Sequence, residues 1–164
     1  MEIGPGRGDL LLALAAAAPA TNFFGIERVA AAAAIVARAA TAGLANVRVI
    51  AGDARCVVAH LVPDASVAAY HVYFPDPWPK TGHRHRRLAT EPFARDVART
   101  LAPGGAVHVA SDVRVVVDRF ASVLASAGLA PVPGAAPPAG RPSTAFERKY
   151  ARAGTHYVRF VRRT

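Results

Sequence analysis

The residues best equipped for chemistry in this chain form one loop, Phe74-Pro75-Asp76-Pro77-Trp78-Pro79-Lys80, followed closely by the cationic tract His83-Arg84-His85-Arg86-Arg87. The apolar run at 67–74 reads as a buried strand. Each proline biases the residue before it toward extended backbone, so Phe74, Asp76 and Trp78 are expected outside helix. Asp76 is then fixed at a strand end beside an aromatic ring. A carboxylate held that way suits a flat substrate that is cationic or becomes cationic as it reacts. Lys80, Arg84, Arg86 and Arg87 have the charge to neutralise phosphates, and Trp78 has a face on which a base can stack, the usual combination for gripping RNA.

Three more acids stand at the ends of apolar runs. Glu2-Ile3-Gly4-Pro5-Gly6-Arg7-Gly8 reads as a strand, a glycine turn and the start of a helix. There the absence of side chains at Gly4 and Gly6 lets a ligand approach the backbone. Its G-x-G-x-G spacing differs from the G-x-G-x-x-G of a nicotinamide dinucleotide site, which argues against a dehydrogenase. Glu2 can receive a ligand ammonium. Glu27 follows Phe23-Phe24-Gly25-Ile26, about 20 residues beyond the turn, where an acid accepts ribose hydroxyls. Asp53 ends a third apolar run and can accept from an adenine amino group. Glu27 and Asp53 can equally cap the helices that follow them. His83 and His85 form an H-x-H pair, but nothing at a persuasive spacing completes a metal set, so no metal is expected. Cys56 reads as a small packing residue, and His60, His71, His108 and His156 as core or surface positions.

These groups need a frame. Short apolar runs ending in glycine or acid alternate with Ala- and Leu-rich stretches, the pattern of a βαβ series with a mostly parallel sheet. Strands are expected at about residues 1–3, 22–26, 47–50, 67–74, 105–111 and 156–161, and helices at 9–18, 28–42, 54–61, 91–101 and 114–126. Residues 131–142, rich in Pro, Gly and Ala, read as a loop. The first strand has only Met1-Glu2-Ile3 before its turn, so it is expected to be truncated relative to an ordinary strand of about five or six residues.

The 164 residues fit one domain, 1–164, long enough to bury a core without disulfides or metal. The net charge of +9 is uneven. Residues 1–79 hold five Arg against six acids, a balance of −1, whereas residues 80–164 hold 15 Lys and Arg against five acids, a balance of +10. A near-neutral half beside a basic half suggests a small-molecule site next to a polyanion surface. One cysteine and the lack of a cationic leader at Met1-Glu2 point to a cytoplasmic protein. The longest uncharged stretch, residues 120–140, is broken by prolines and glycines, so no membrane span is expected.

Taken together, these motifs resemble the tRNA (guanine-N7)-methyltransferase family, S-adenosylmethionine-dependent methyltransferases of Rossmann-like fold. The resemblance covers nearly the whole chain. It rests on the glycine turn with Glu2, on Gly25-Ile26-Glu27, on Asp53-Ala54, on residues 74–80 with His83, Arg86, Arg87 and Leu88, on Ser111-Asp112, and on Thr144-Ala145-Phe146-Glu147. It implies that Glu2, Gly4, Gly6, Glu27, Asp53 and Asp76 line an S-adenosylmethionine site. It also implies that Lys80, Asp112, Thr144, Ala145, Phe146 and Glu147 meet the substrate, and that His83, Arg84, His85, Arg86 and Arg87 contact tRNA. Asp76 is the expected catalytic residue, and Glu147 or Asp112 the acceptor for guanine N1–H and N2–H. Gly82 and His85 depart from the family by standing where cationic residues are usual. Because the family normally carries sequence before the glycine turn, the alternative is an RNA-binding or scaffold protein of the same fold with impaired turnover.

Overall fold

The computed structural model describes residues 1–138, 143, 147–148 and 154–164. Its order is β1 (Glu2–Ile3), α1 (Asp9–Ala17), β2 (Phe23–Glu27), α2 (Val29–Thr41), β3 (Val47–Ala51), α3 (Ala54–Leu61) and β4 (Val67–Tyr73). A 3-10 helix (Thr81–Arg86), α4 (Glu91–Thr100), β5 (Leu101–Ser111), α5 (Arg114–Ser126), β6 (Ala130–Pro131) and β7 (His156–Val161) complete it. The expected strands and helices are all present within a few residues. The 3-10 helix and the two-residue β6 are additions that sequence periodicity does not signal.

The strands form one sheet in the order β3-β2-β1-β4-β5-β7-β6. β1 to β5 run parallel, and β7 is antiparallel to β5 and β6. The chain builds outward from β1 through β2 to β3, then returns to the other side of β1 with β4. That reversal opens a crevice beyond the carboxyl ends of β1 and β4, where ligands bind in open α/β sheets. The short β1 therefore lies inside the sheet, between β2 and β4. Glu2 pairs with Gly25 on one side and His71 on the other, and Ile3 with Ile26 and Val72.

The main core packs strand residues such as Ile26, Tyr70, Val72 and Val107 against Val58, Phe93, Val97 and Phe120 from the helices. α4 shows how local sequence sets this up. Thr90 caps it by accepting from the Phe93 amide, Pro92 fits its first turn, and Phe93, Ala94, Val97 and Thr100 recur on its buried face. The buried hydroxyls of Tyr70 and Thr100 pair at 2.7 Å. A smaller cluster of Leu11, Leu12, Ala15, Ile35, Ala39 and Val47 joins α1 and α2 to the β2–β3 edge.

Gly8 governs how the glycine turn enters α1. Its φ is +76°, and a Cβ there would stand 2.8 Å from Ile35 Cγ2. Gly8→Ala therefore combines left-handed backbone strain with overpacking and should destabilise the protein by about 2–4 kcal/mol. A lowered urea midpoint with an unchanged slope checks this.

Candidate active site

The glycine turn is fixed at every step. Gly4 donates to the Ile26 carbonyl (2.9 Å) and Gly8 to the Pro5 carbonyl (2.8 Å). The Gly6 amide donates to Glu27 Oε2 at 2.7 Å, and Arg38 of α2 grips the Arg7 carbonyl and Asp9. Arg148 also approaches Asp9, at 3.9 Å, which brings residues 147–148 alongside the start of α1.

Above this turn lies a cleft of about 710 Å³. Its walls include Gly4, Gly6, Glu27, Asp53, Asp76 and Trp78, so five of the expected cofactor residues converge there from four separate segments. No atom would meet a Cβ at Gly4 or Gly6, so open space stands over both glycines. Glu2 behaves differently: it is 4% exposed, and Ile3 and Gly4 form the cleft surface in its place. Glu2 belongs to a row of polar residues in cross-strand register with His71, His108 and Arg159. The His71 and His108 rings stack at 5.0 Å, His71 Nδ1 pairs with the Tyr73 hydroxyl at 3.1 Å, and His108 Nδ1 pairs with Tyr157. The two histidines are thus an organised pair beside Glu2.

Glu27 already accepts two backbone hydrogen bonds, from Gly6 to Oε2 and from Arg28 to Oε1, each at 2.7 Å. Each carboxylate oxygen keeps acceptor capacity for a ribose hydroxyl. Asp53 is the N-cap of α3, accepting from the Arg55 amide at 2.8 Å. The Arg55 guanidinium also embraces it, Nη2 to Oδ2 at 2.6 Å and Nε to Oδ1 at 3.1 Å. That pairing holds the Asp53 carboxyl below its usual pKa. The pairing's contribution to stability is therefore fully present above the ordinary carboxylate pKa and fades as pH falls through the depressed value. The stability difference between the unaltered protein and Asp53→Asn should accordingly be constant from about pH 8 to pH 5 and shrink below about pH 4 in denaturant titrations.

The Asp76 loop corrects one expectation. Phe74 and Trp78 are not extended: their φ angles are +50° and +41°. Such backbone costs on the order of 1–3 kcal/mol per residue and persists only where surroundings enforce it. Here Phe74 N donates to the Ala110 carbonyl on β5 (2.8 Å), while Arg87 donates from Nε to the Trp78 carbonyl (3.0 Å) and from Nη2 to that of Pro79 (3.3 Å). Trp78 packs edge-on against His83 (5.5 Å between rings) and lies under the Arg86 guanidinium, 4.8 Å from its carbon. The cationic tract is thus an ordered 3-10 helix built around Trp78. Arg87, directly after it, acts as a loop staple, while Lys80, Arg84, His85 and Arg86 are exposed.

Asp76 is exposed and lines two spaces, the cleft and a neighbouring hollow of about 270 Å³ walled by the loop prolines, Leu88 and the start of α5. Val113 lines this hollow, which puts Asp112, the residue before it, at the same strand end. Glu147 is half-buried; Thr144, Ala145 and Phe146 lie outside the described residues. Cys56 is exposed, not packed as expected, because it falls on the outer face of α3 while Val57 and Val58 turn inward. Sequence reading missed Arg55 and Arg38 as site residues. Only their places, two residues after a strand-end acid and on the helix facing the turn, hint at them. Among the described residues no cluster of His, Cys, Asp and Glu forms a metal site, and no helix is long and apolar enough to cross a membrane.

A family model described as "Putative methyltransferase" matches residues 1–160. The tRNA (guanine-N(7)-)-methyltransferase of Sodalis glossinidius is 40% identical over 160 residues, spanning 94% of this chain and 67% of that protein. Its counterpart in a Nocardioides species is 42% identical over 155 residues, spanning 94% and 62%. The chain thus spans about two thirds of the length of these relatives. The crystal structure of the 16S rRNA methyltransferase KamB superposes with a TM-score of 0.70 at 17% identity, covering 99% of this chain and 86% of that one, a likeness of fold. The acids gathered at the switch point and the match along nearly the whole chain lead to one conclusion: the chain belongs to the tRNA (guanine-N7)-methyltransferase family, S-adenosylmethionine-dependent enzymes of Rossmann-like fold.

Proposed function

We propose that this chain methylates guanine N7 in the variable loop of tRNA, with Asp76 acting where cofactor and base meet. The observation that carries the reading is the position of Asp76, in the wall common to the cleft and the hollow. The donor chemistry of the cleft suits S-adenosylmethionine. Open space over Gly4 and Gly6 admits its chain, Glu27 has acceptor capacity for the ribose, and Asp53 can meet the adenine amino group. Glu2, buried at the end of β1, adds negative potential beneath the glycine turn for the ammonium. When bound, the cofactor supplies an electrophilic methyl group on a sulfonium.

Guanine N7 has an in-plane lone pair and no proton to lose, so no general base is required. The protein's task is to align the partners and balance charge. With the cofactor bound, positive charge would pass from sulfur to the purine ring, and the Asp76 carboxylate between the two sites would stabilise it. Asp112 or Glu147 accepts from guanine N1–H and N2–H, which selects against adenine. Lys80, Arg84 and Arg86 neutralise phosphates, His83 and His85 flank them, and Arg87 keeps the loop in shape. The test is to incubate the chain with S-adenosylmethionine and unmodified tRNA, then cleave the RNA chemically at 7-methylguanosine. Cleavage confined to the variable loop is expected; cleavage elsewhere, or none, contradicts the reading.

A further inference from the structure

The Arg55 guanidinium joins two parts of the site that lie 30 residues apart in sequence. One edge holds both oxygens of Asp53. The remaining nitrogen, Nη1, donates to the carbonyl of His85 at 2.7 Å. His85 lies in the last turn of the 3-10 helix, where carbonyls lack partners within the helix. Arg55 itself lines the cofactor cleft, as do Asp53 and Arg86.

The planar fork fits this task. It makes two contacts to a carboxylate and one to a carbonyl in a fixed geometry, whereas a lysine ammonium is a single point charge on a flexible stem. Arg87, directly after the helix, donates back to the carbonyls of Trp78 and Pro79 before it, which closes the loop and helix on themselves without reaching Asp53. Arg55 is therefore the contact that ties the cationic helix to the adenine end of the cleft. A ligand that settles against Asp53 sets Arg55, and Arg55 sets the helix that carries Arg84 and Arg86.

We propose that Arg55 is a positioning residue that couples S-adenosylmethionine binding to tRNA binding. The inference rests on the reading of residues 83–87 as tRNA contacts. Coupling between two binding sites is reciprocal, so each ligand raises affinity for the other by the same factor.

The test is to measure S-adenosylmethionine affinity by calorimetry with and without saturating tRNA that carries 7-deazaguanosine at the target position and so cannot accept the methyl group, in the unaltered chain, Arg55→Ala and Arg55→Lys, with thermal melts confirming that each variant folds. The unaltered chain should bind the cofactor about fivefold or more tightly with tRNA present. Both variants should bring that ratio below about twofold, although Arg55→Lys restores the charge. Full recovery of the ratio by lysine would reduce Arg55 to a general cation and overturn the proposal. So would a ratio near one in the unaltered chain, or an unchanged ratio in Arg55→Ala. Failure of the unaltered chain to retain tRNA at all would instead sink the RNA reading itself, and the coupling with it.

Discussion

Asp76→Asn lowers kcat for methyl transfer by about 100- to 1,000-fold while tRNA affinity changes by less than about threefold. The substitution keeps the shape of the side chain, removes its charge and replaces one acceptor oxygen by an amide donor. The charge matters because the reaction begins with a cation at sulfur and ends with one on the purine, with Asp76 in the wall between. The loop's strain supports that role. Phe74 and Trp78 are held at positive φ by the Ala110 carbonyl and by Arg87, so Asp76 is presented on backbone the rest of the structure enforces. tRNA affinity depends instead on exposed cations that the substitution leaves in place. A second readout separates charge from shape. S-adenosylhomocysteine lacks the sulfonium charge, so Asp76→Asn should narrow the protein's preference for the methylated cofactor over the demethylated one. Parallel losses in transfer and tRNA binding would remove Asp76 from the chemistry.

The second large effect falls on cofactor affinity. Glu27→Ala should raise the Kd for S-adenosylmethionine by about 100-fold or more and lower thermal stability. Two amides, those of Gly6 and Arg28, lose a charged acceptor, and such bonds contribute about 1.5–3 kcal/mol each. The glycine turn then loses its tie to β2 as well as the acceptor for the ribose. Competition by adenosine and by its 2′,3′-dideoxy analogue divides the two roles. The unaltered protein should prefer adenosine, and Glu27→Ala should bind both equally weakly. If the preference for adenosine survives in Glu27→Ala, the residue shapes the turn without touching the ribose.

Much of this frame was legible in the residues. The alternation of short apolar runs with Ala-rich helical stretches gave the parallel sheet, because burial on both faces makes strands read as continuous apolar segments. The acids Glu27, Asp53 and Asp76 were visible as polar residues closing such runs, and the topology carries all three to one crevice. What local sequence left hidden depends on distant partners. The order in residues 81–86 comes from Trp78, Arg55 and Arg87, and a charge run without apolar period carries no trace of it. Positive φ at Phe74 and Trp78 overrides the ordinary influence of a following proline, again through contacts to β5 and to Arg87. Glu2 was legible as an acid in the first strand, but its burial follows from the interior position of β1 between β2 and β4, which only the strand order reveals. Arg55 was passed over because a helix-capping partner and a bridge to another element look alike until the His85 carbonyl is in view.

On the proposed function, the carboxylate-lined cleft delivers a methyl group to N7 of guanine in tRNA. Its most direct measurement is transfer from methyl-labelled S-adenosylmethionine to two tRNAs, one with guanosine and one with 7-deazaguanosine at the target position. Label is expected on the first and none on the second, with both RNAs bound equally well. Label on the 7-deaza RNA, or none on the guanosine RNA despite binding, would contradict it.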